Sequence, residues 1–287
     1  VLALAAALAL VATPAAPWAA LEHGLELGTF QGPAGGTGDG IISVLRVDPA
    51  RFELRLLNAS APGQGSARSA RVWVRQSGAV AAINAAMYQE DQRTSVSLMR
   101  TRTHVNHPRL SRDRSLLAFD PLDPGQPAFR IIDRDCDDLD ALGKRYGTLV
   151  QSIRLISCEG RNVWAPSPRR TSAALIGIDG RGRLLLIHSR TAWPTGELAD
   201  ALLALPLDLR RAMYVEGGAE AQLFVAAGGR ELELIGAFDG VAAVAQNRDA
   251  WPVPNVLAVF RRTVQSRPPL IPAHSSAGAG EREKATR

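Results

Sequence analysis

The sequence predicts a single catalytic-type domain of the α+β class, a mixed β-sheet core with flanking helices. Two observations carry that expectation. Strand-like and helical segments do not alternate strictly along the chain, which favours a mixed sheet over a doubly wound parallel one. The composition supplies a large core: 46% of the 287 residues are hydrophobic, with 21% charged and 5% aromatic. That is an ordinary globular mixture and excludes a long disordered chain.

In chain order, Leu21–Phe30 alternates enough to read as a strand, and a glycine-rich loop, Gly32–Gly40, follows. Ile41–Val47 and Phe52–Leu57 flank Asp48-Pro49-Ala50-Arg51, a hairpin signal with proline where a type I turn wants it. Ala67–Gln76 reads as a short helix stopped by Gly78, and Val80–Asn84 as a strand of small apolar residues. Ser95–Thr101, Leu116–Phe119 and Phe129–Ile132 are strand candidates, with a Pro/Asp-rich loop at Asp120–Pro127. Asp135–Tyr146 has an acidic start and a basic end, which suits a helix dipole. Ser172–Ile178 and Arg183–His188 flank Asp179-Gly180-Arg181-Gly182, a strong hairpin signal in which Asp179 reads as a turn residue. Thr195 is expected to cap a helix running to Leu205 and ended by Pro206. Met213–Val215 and Gln222–Ala226 bracket a Glu-Gly-Gly turn, and Asn255–Phe260 is the last expected strand.

The ends read differently. Val1–Ala12 is an uncharged apolar run, near the ~7–15 residues of a signal-peptide core and short of the ~20 that span a bilayer. Residues 1–20 are therefore expected to be a signal peptide or uncleaved anchor, 21–262 the folded domain, and 263–287 a disordered tail. Periplasmic or secreted localisation follows, with membrane contact only through an uncleaved N-terminal segment. Cys136 and Cys158 suit an oxidising compartment, where they either pair or remain two buried thiols. The net charge of +5 is almost all arginine, spread along the chain without an aromatic-interleaved basic stripe. A nucleic-acid partner is not expected; an anionic small molecule or glycan is.

Several reaction classes lack their motifs. There is no Gly-x-Ser-x-Gly elbow, His-Glu-x-x-His, P-loop or dinucleotide fingerprint. No ligand spacing demands a metal, and no cofactor is expected, although a carboxylate-rich site could hold Ca²⁺ or Mg²⁺. Three places can carry chemistry. Asn84 ends a small-residue strand, followed by Glu90 and Asp91. Arg169-Arg170-Thr171-Ser172 offers two guanidinium groups and two hydroxyls before an apolar strand, a reasonable anion clamp. Ala212–Leu223 places Glu216 at a strand end beside Gly217 and Gly218, where paired glycines allow close approach of a ligand to the backbone.

Taken together, Ile83–Tyr88, Arg170–Gly177 and Val215–Glu220 resemble the phosphodiester glycosidase family, in that order along the chain. The family's pattern reads Ile-Asn-Gly/Ala-Gly/Ala-Met/Phe-Phe/Tyr, then Arg-Thr/Ser-Ala-x-Gly, then Leu-Asp-Gly-Gly. The segment Trp251–Leu257 is similar to its final strand, and Gln151-Ser152 sits where bacterial members often carry that pair. Two departures stand out: Ala85 and Ala86 replace glycine in the first motif, and Glu216 stands where Asp is usual.

The resemblance implies an exported hydrolase that cleaves a sugar-1-phosphodiester or related glycosidic bond in envelope or extracellular glycans. It casts Glu216, Asn84 and Arg170 as catalytic: Glu216 as base or nucleophile, Arg170 neutralising phosphate, and Asn84 orienting sugar hydroxyls. Thr171, Gly217, Gly218, Glu220, Glu90 and Gln151 would bind substrate, with Glu220 or Glu90 as the second carboxylate that glycoside cleavage usually needs. The alternative expectation is an envelope glycan-binding protein that keeps the pocket without turnover; the departures at Ala85, Ala86 and Glu216 feed it. A purely structural domain predicts that Asn84, Arg170 and Glu216 share no cleft.

Overall fold

The computed structural model of the chain describes residues 17–237 and 247–263. The first sixteen residues of the expected leader, and all but Thr263 of the expected tail, lie outside the described residues. The chain passes through β1 (Trp18–Glu22), β2 (Leu25–Gln31), β3 (Ile41–Val47), β4 (Phe52–Asn58), α1 (Ala70–Ser77), β5 (Ala81–Asn84), β6 (Met99–Arg100) and β7 (Val105–His107). It continues through β8 (Ser115–Pro121), β9 (Phe129–Asp133), α2 (Leu139–Gly143), β10 (Tyr146–Ile156), β11 (Arg170–Asp179), β12 (Leu184–Pro194) and α3 (Thr195–Ala204). The last elements are β13 (Leu209–Gly217), β14 (Gln222–Ala227), β15 (Arg230–Ile235) and β16 (Asn255–Arg261).

The strands form two sheets. The larger has eleven strands, with β1-β2-β3-β12-β11-β13-β10-β6-β7 in order and β8 and β9 joined through β10; the smaller runs β15-β14-β5-β16-β4. Every strand pair among the described residues is antiparallel. The expected mixed sheet with flanking helices is thus corrected to a mostly β architecture. Its cause is visible in the connections, since short turns join antiparallel neighbours whereas parallel strands need crossovers of a dozen residues or more.

Period-two alternation builds the layers. Ala81 and Ile83 of β5, Leu223 and Val225 of β14, and Leu257 and Val259 of β16 face Ala174, Ile176, Leu184, Leu186, Met213 and Val215 of the large sheet across one shared core. The intervening residues point outward: Ala82, Phe224, Val256 and Ala258 are covered by Trp73 and Val74 of α1. On the other side, Leu175, Leu185, Ile187 and Tyr214 are covered by Leu198, Ala199 and Leu202 of α3. Gly78 ends α1 as expected, but the helix starts at Ala70, three residues later than expected, with Ser69 as its cap. No helix among the described residues is long and apolar enough to cross a membrane.

Several elements differ from expectation. Leu21–Phe30 is not one strand, because Gly24 at φ +86° turns the chain between β1 and β2. The turn at Asp48–Arg51 forms, with Phe52 N–H bonded to Asp48 O, but it makes no hairpin. Instead it carries the chain from β3 in the large sheet to β4 in the small one. Of Ser95–Thr101 only Met99–Arg100 is strand, and the helix expected over Asp135–Tyr146 shrinks to Leu139–Gly143 with Asp138 as its cap. Thr195 does not cap α3; Pro194 holds the cap position and Thr195 is the first helical residue. The β11–β12 hairpin forms as expected, its turn tied by the backbone N–H groups of Arg181 and Arg183, each 2.9 Å from Asp179 Oδ1. Cys136 and Cys158 are joined as a disulfide, their Cα atoms 6.5 Å apart.

Candidate active site

β13 leaves the large sheet at Glu216 and Gly217, and five residues later β14 has joined the small sheet. The site is this crossing. Both ladders around it slip register: β11–β12 between Thr171 and Ala173, and β11–β13 between Ala174 and Leu175. Such irregularities re-aim side chains at strand ends. The crossing itself is fixed from both sheets. Thr171 Oγ1 accepts from Gly218 N–H at 2.8 Å. From the small sheet, Asn84 donates Nδ2–H to Glu220 O at 2.9 Å and accepts from Gln222 N–H at 2.7 Å. His188 lies beneath, its Nε2 3.2 Å from Ala221 O. Burial lowers its pKa to about 4, so it stands neutral and donates to that carbonyl.

A cleft of about 670 Å³ opens at this crossing, lined by Arg169, Arg170, Thr171, Glu216, Gly217, Gly218 and Glu220. Met87 and Tyr88 reach it from the loop after β5, and Ile153, Trp164, Ser167, Thr195 and Tyr214 complete the wall. Gly217 is required by close approach: a Cβ there would land on the Tyr214 hydroxyl. Gly218 is required by conformation, at φ +66°. Trp164 and Tyr214 meet with ring centroids 5.1 Å apart and planes at 47°, forming one aromatic wall. Arg170 is tied to the carbonyl of Gly35 at the rim. A second cavity, about 580 Å³ and lined by residues of β4 and β8, contains none of the expected site residues. Its charges are matched internally, Arg102 with Asp120 and Arg55 with Glu53.

Glu216 is only 8% exposed. Burial raises its pKa from 4.5 to about 8, and the charge of Glu220 adds to the rise; the Gly217 N–H, 3.0 Å from Oε1, opposes it. The side chain is therefore mainly a neutral acid at pH 7, where a base or nucleophile was expected. Burial also raises Tyr88 to about 12, with Glu220 and Glu216 contributing, and pushes Tyr214 upward with help from Glu216. These shifts identify one electrostatically connected group of side chains.

Six of the nine expected site residues meet in the cleft. Asn84, Gln151 and Glu90 do not. Asn84 is buried and spends its amide on the backbone of the crossing. Gln151, also buried, donates to Asp113 O at 2.7 Å and accepts from Ser111 N–H at 3.0 Å, so it holds a loop. Glu90 is exposed and lines no part of the cleft. Trp164 and Thr195 carried no sequence signal as site residues, and Tyr88 and Tyr214 were passed over although Tyr88 closes the first motif and Tyr214 lies one residue before the last. The group of potential metal ligands found among the described residues, Asp133 with Cys136 and Cys158, lies at the disulfide.

The fold and site can be set beside known proteins. No curated protein sequence matches. The catalytic domain of zebrafish N-acetylglucosamine-1-phosphodiester alpha-N-acetylglucosaminidase, auto-inhibited by its pro-peptide, superposes with a TM-score of 0.61 at 14% identity, over 83% of this chain and 84% of that one. A hypothetical protein from Synechocystis gives 0.55 at 16% identity, over 84% of this chain and 62% of that one. At these identities the likeness is one of fold. The sequence profile of the phosphodiester glycosidase family matches residues 77–260, a span that holds β5, the arginine pair and the crossing at Glu216. The chain belongs to the phosphodiester glycosidase family.

Proposed function

We propose that the chain is an exported hydrolase that cleaves a sugar-1-phosphodiester, or a related glycosidic bond, in the cleft at the β13–β14 crossing. The observation that carries this reading is the buried, neutral carboxyl of Glu216 in a cleft that also holds Glu220 and two arginines. A neutral acid suits an anionic substrate, because a buried carboxylate would repel the phosphate. Glu216 protonates the bridging oxygen as the bond to the sugar's anomeric carbon breaks. Glu220 acts on the other partner, taking a proton from the attacking water or attacking the carbon itself. Arg169 and Arg170 offset the phosphate charge, and the Trp164–Tyr214 wall receives a sugar face. This mechanism calls on no cofactor. The disulfide and the apolar first twelve residues support a periplasmic or secreted location.

The test is incubation of purified protein with methyl and sugar phosphodiesters of N-acetylglucosamine across pH 4–9, with release of the free sugar followed. Turnover that falls on the alkaline side as Glu216 loses its proton, and that drops roughly 10²-fold or more in Glu216→Gln, supports the reading. Binding without cleavage at every pH rejects it and leaves a glycan-binding protein, whose affinity Glu216→Gln would leave unchanged.

A further inference from the structure

We propose that the N-terminus of α3 seats the phosphoryl group of the ligand, with Thr195 as its specificity-determining contact. Assigning that group to a substrate rests on the hydrolytic reading above; the anion seat itself does not. β12 runs directly into α3, and Pro194 at the cap position offers no side-chain acceptor to the first helical N–H groups. Those N–H groups and the helix dipole favour an anion beyond the helix start.

Thr195 supplies the independent observation. It is 4% exposed and lines the cleft, and its hydroxyl makes no hydrogen bond among the described residues. The residue is otherwise enclosed, so this hydroxyl opens to the cleft, where a ligand can complete it. The charge is adjacent, because Arg170 pairs with Pro194 across the β11–β12 ladder and both arginines line the same cleft. One hydroxyl, free N–H groups and two guanidinium groups suit a tetrahedral anion with several acceptor oxygens. The acidic residue of the first turn, Glu197, is exposed. Glu220 lines the same cleft and its carboxyl disfavours an anion beside it, whereas the neutral Glu216 can stand close to the bridging oxygen. The arrangement therefore orients the ligand, with phosphate toward Thr195 and the sugar's anomeric carbon toward the two glutamates.

The probe is inorganic phosphate, titrated calorimetrically into the wild type, Thr195→Val and Thr195→Ser, with N-acetylglucosamine as the neutral comparison. Valine matches threonine in shape and removes no protein hydrogen bond, so the fold should survive; melting curves check this. The expected result is phosphate binding that weakens about ten-fold or more in Thr195→Val, the effect of one hydrogen bond to a charged group. Thr195→Ser should restore it, and affinity for the neutral sugar should not move. The proposal is overturned if the wild type binds no phosphate, if Thr195→Val binds it equally well, or if the neutral sugar is lost in parallel. Phosphodiester turnover with phosphate affinity indifferent to Thr195 rejects this seat alone. A Thr195-dependent phosphate site without turnover supports the seat and rejects only the hydrolytic reading.

Discussion

Replacing Glu216 by Gln should stabilise the protein at neutral and alkaline pH, by an amount that grows with pH. In the unfolded chain the carboxyl titrates near its ordinary 4.5, and in the folded protein near 8. Between those values the folded state binds the extra proton, so unfolding releases it and stability falls as pH rises. The stability present below pH 4.5 is thus lost progressively up to about pH 8. Linkage gives a penalty of about 1 kcal/mol at pH 5, about 3 kcal/mol at pH 7 and about 4 kcal/mol at pH 8. Glutamine keeps the shape and an acceptor for Gly217 N–H, and has no charge to desolvate. All other titrating groups are common to both proteins, so the difference between them isolates Glu216.

The assay is urea unfolding of wild type and Glu216→Gln at pH 5, 6, 7 and 8, comparing midpoints at equal slope. The midpoints should lie closest at pH 5 and separate steadily to pH 8, the variant being the more stable. A difference independent of pH, or one in which the wild type gains stability with rising pH, would refute the assignment of a neutral, buried acid. A stabilised variant with lost turnover would be the trade expected when a strained group is kept for function.

Other outcomes follow from the same geometry. Gly217→Ala should displace the Tyr214 hydroxyl and lower both stability and ligand binding, and Tyr214→Phe in the same chain should recover much of the loss. Gly218→Ala, with only its φ of +66° to oppose it, should cost about 1–2 kcal/mol, read as a modest shift in Tm. Converting Cys136 and Cys158 together to Ala opens a covalent link between residues 22 apart. Chain entropy puts that at about 3 kcal/mol, measurable by urea unfolding and absent if the cysteines do not pair. Asn84→Ala leaves Glu220 O and Gln222 N–H without their partner and should lower Tm by on the order of 10 °C, while an unchanged Tm contradicts the clamp.

What was legible in the sequence was local. The Asp179 turn specifies its own hairpin, because one carboxylate satisfies two N–H groups within four residues. The Asp48–Arg51 turn is equally local and formed, yet which sheet receives β4 depends on β16, two hundred residues away, and no turn chemistry encodes that. β10 was unread because Thr148, Gln151 and Ser152 interrupt its apolar pattern; they are buried, and Gln151 and Ser152 bond to backbone carbonyls. The motifs converge on the crossing, where Arg170, Thr171, Glu216, Gly217, Gly218 and Glu220 line one cleft. They could not say which way Asn84 faces, since β14 and β16 flank β5 and its amide meets the crossing from within the small sheet. The protonation of Glu216 was also invisible, because burial comes from strands distant in sequence.

Asn84 and Glu216 are mechanically connected. Glu216 stays neutral because the crossing shuts water away from it, and the crossing stays shut because Asn84 holds Glu220 and Gln222 from one sheet while Thr171 holds Gly218 from the other. That would make Asn84 a positioning residue for the acid. If so, loosening the clamp should do more than lower Tm. In folded Asn84→Ala, water that reaches Glu216 should move its pKa from about 8 back toward 4.5, and the alkaline limb of the pH–rate profile should move with it. A residue that bound sugar directly would instead raise KM and leave that limb in place. Asn84→Ala with reduced Tm, unchanged limb and raised KM would thus return Asn84 to the substrate and remove it from the scaffold.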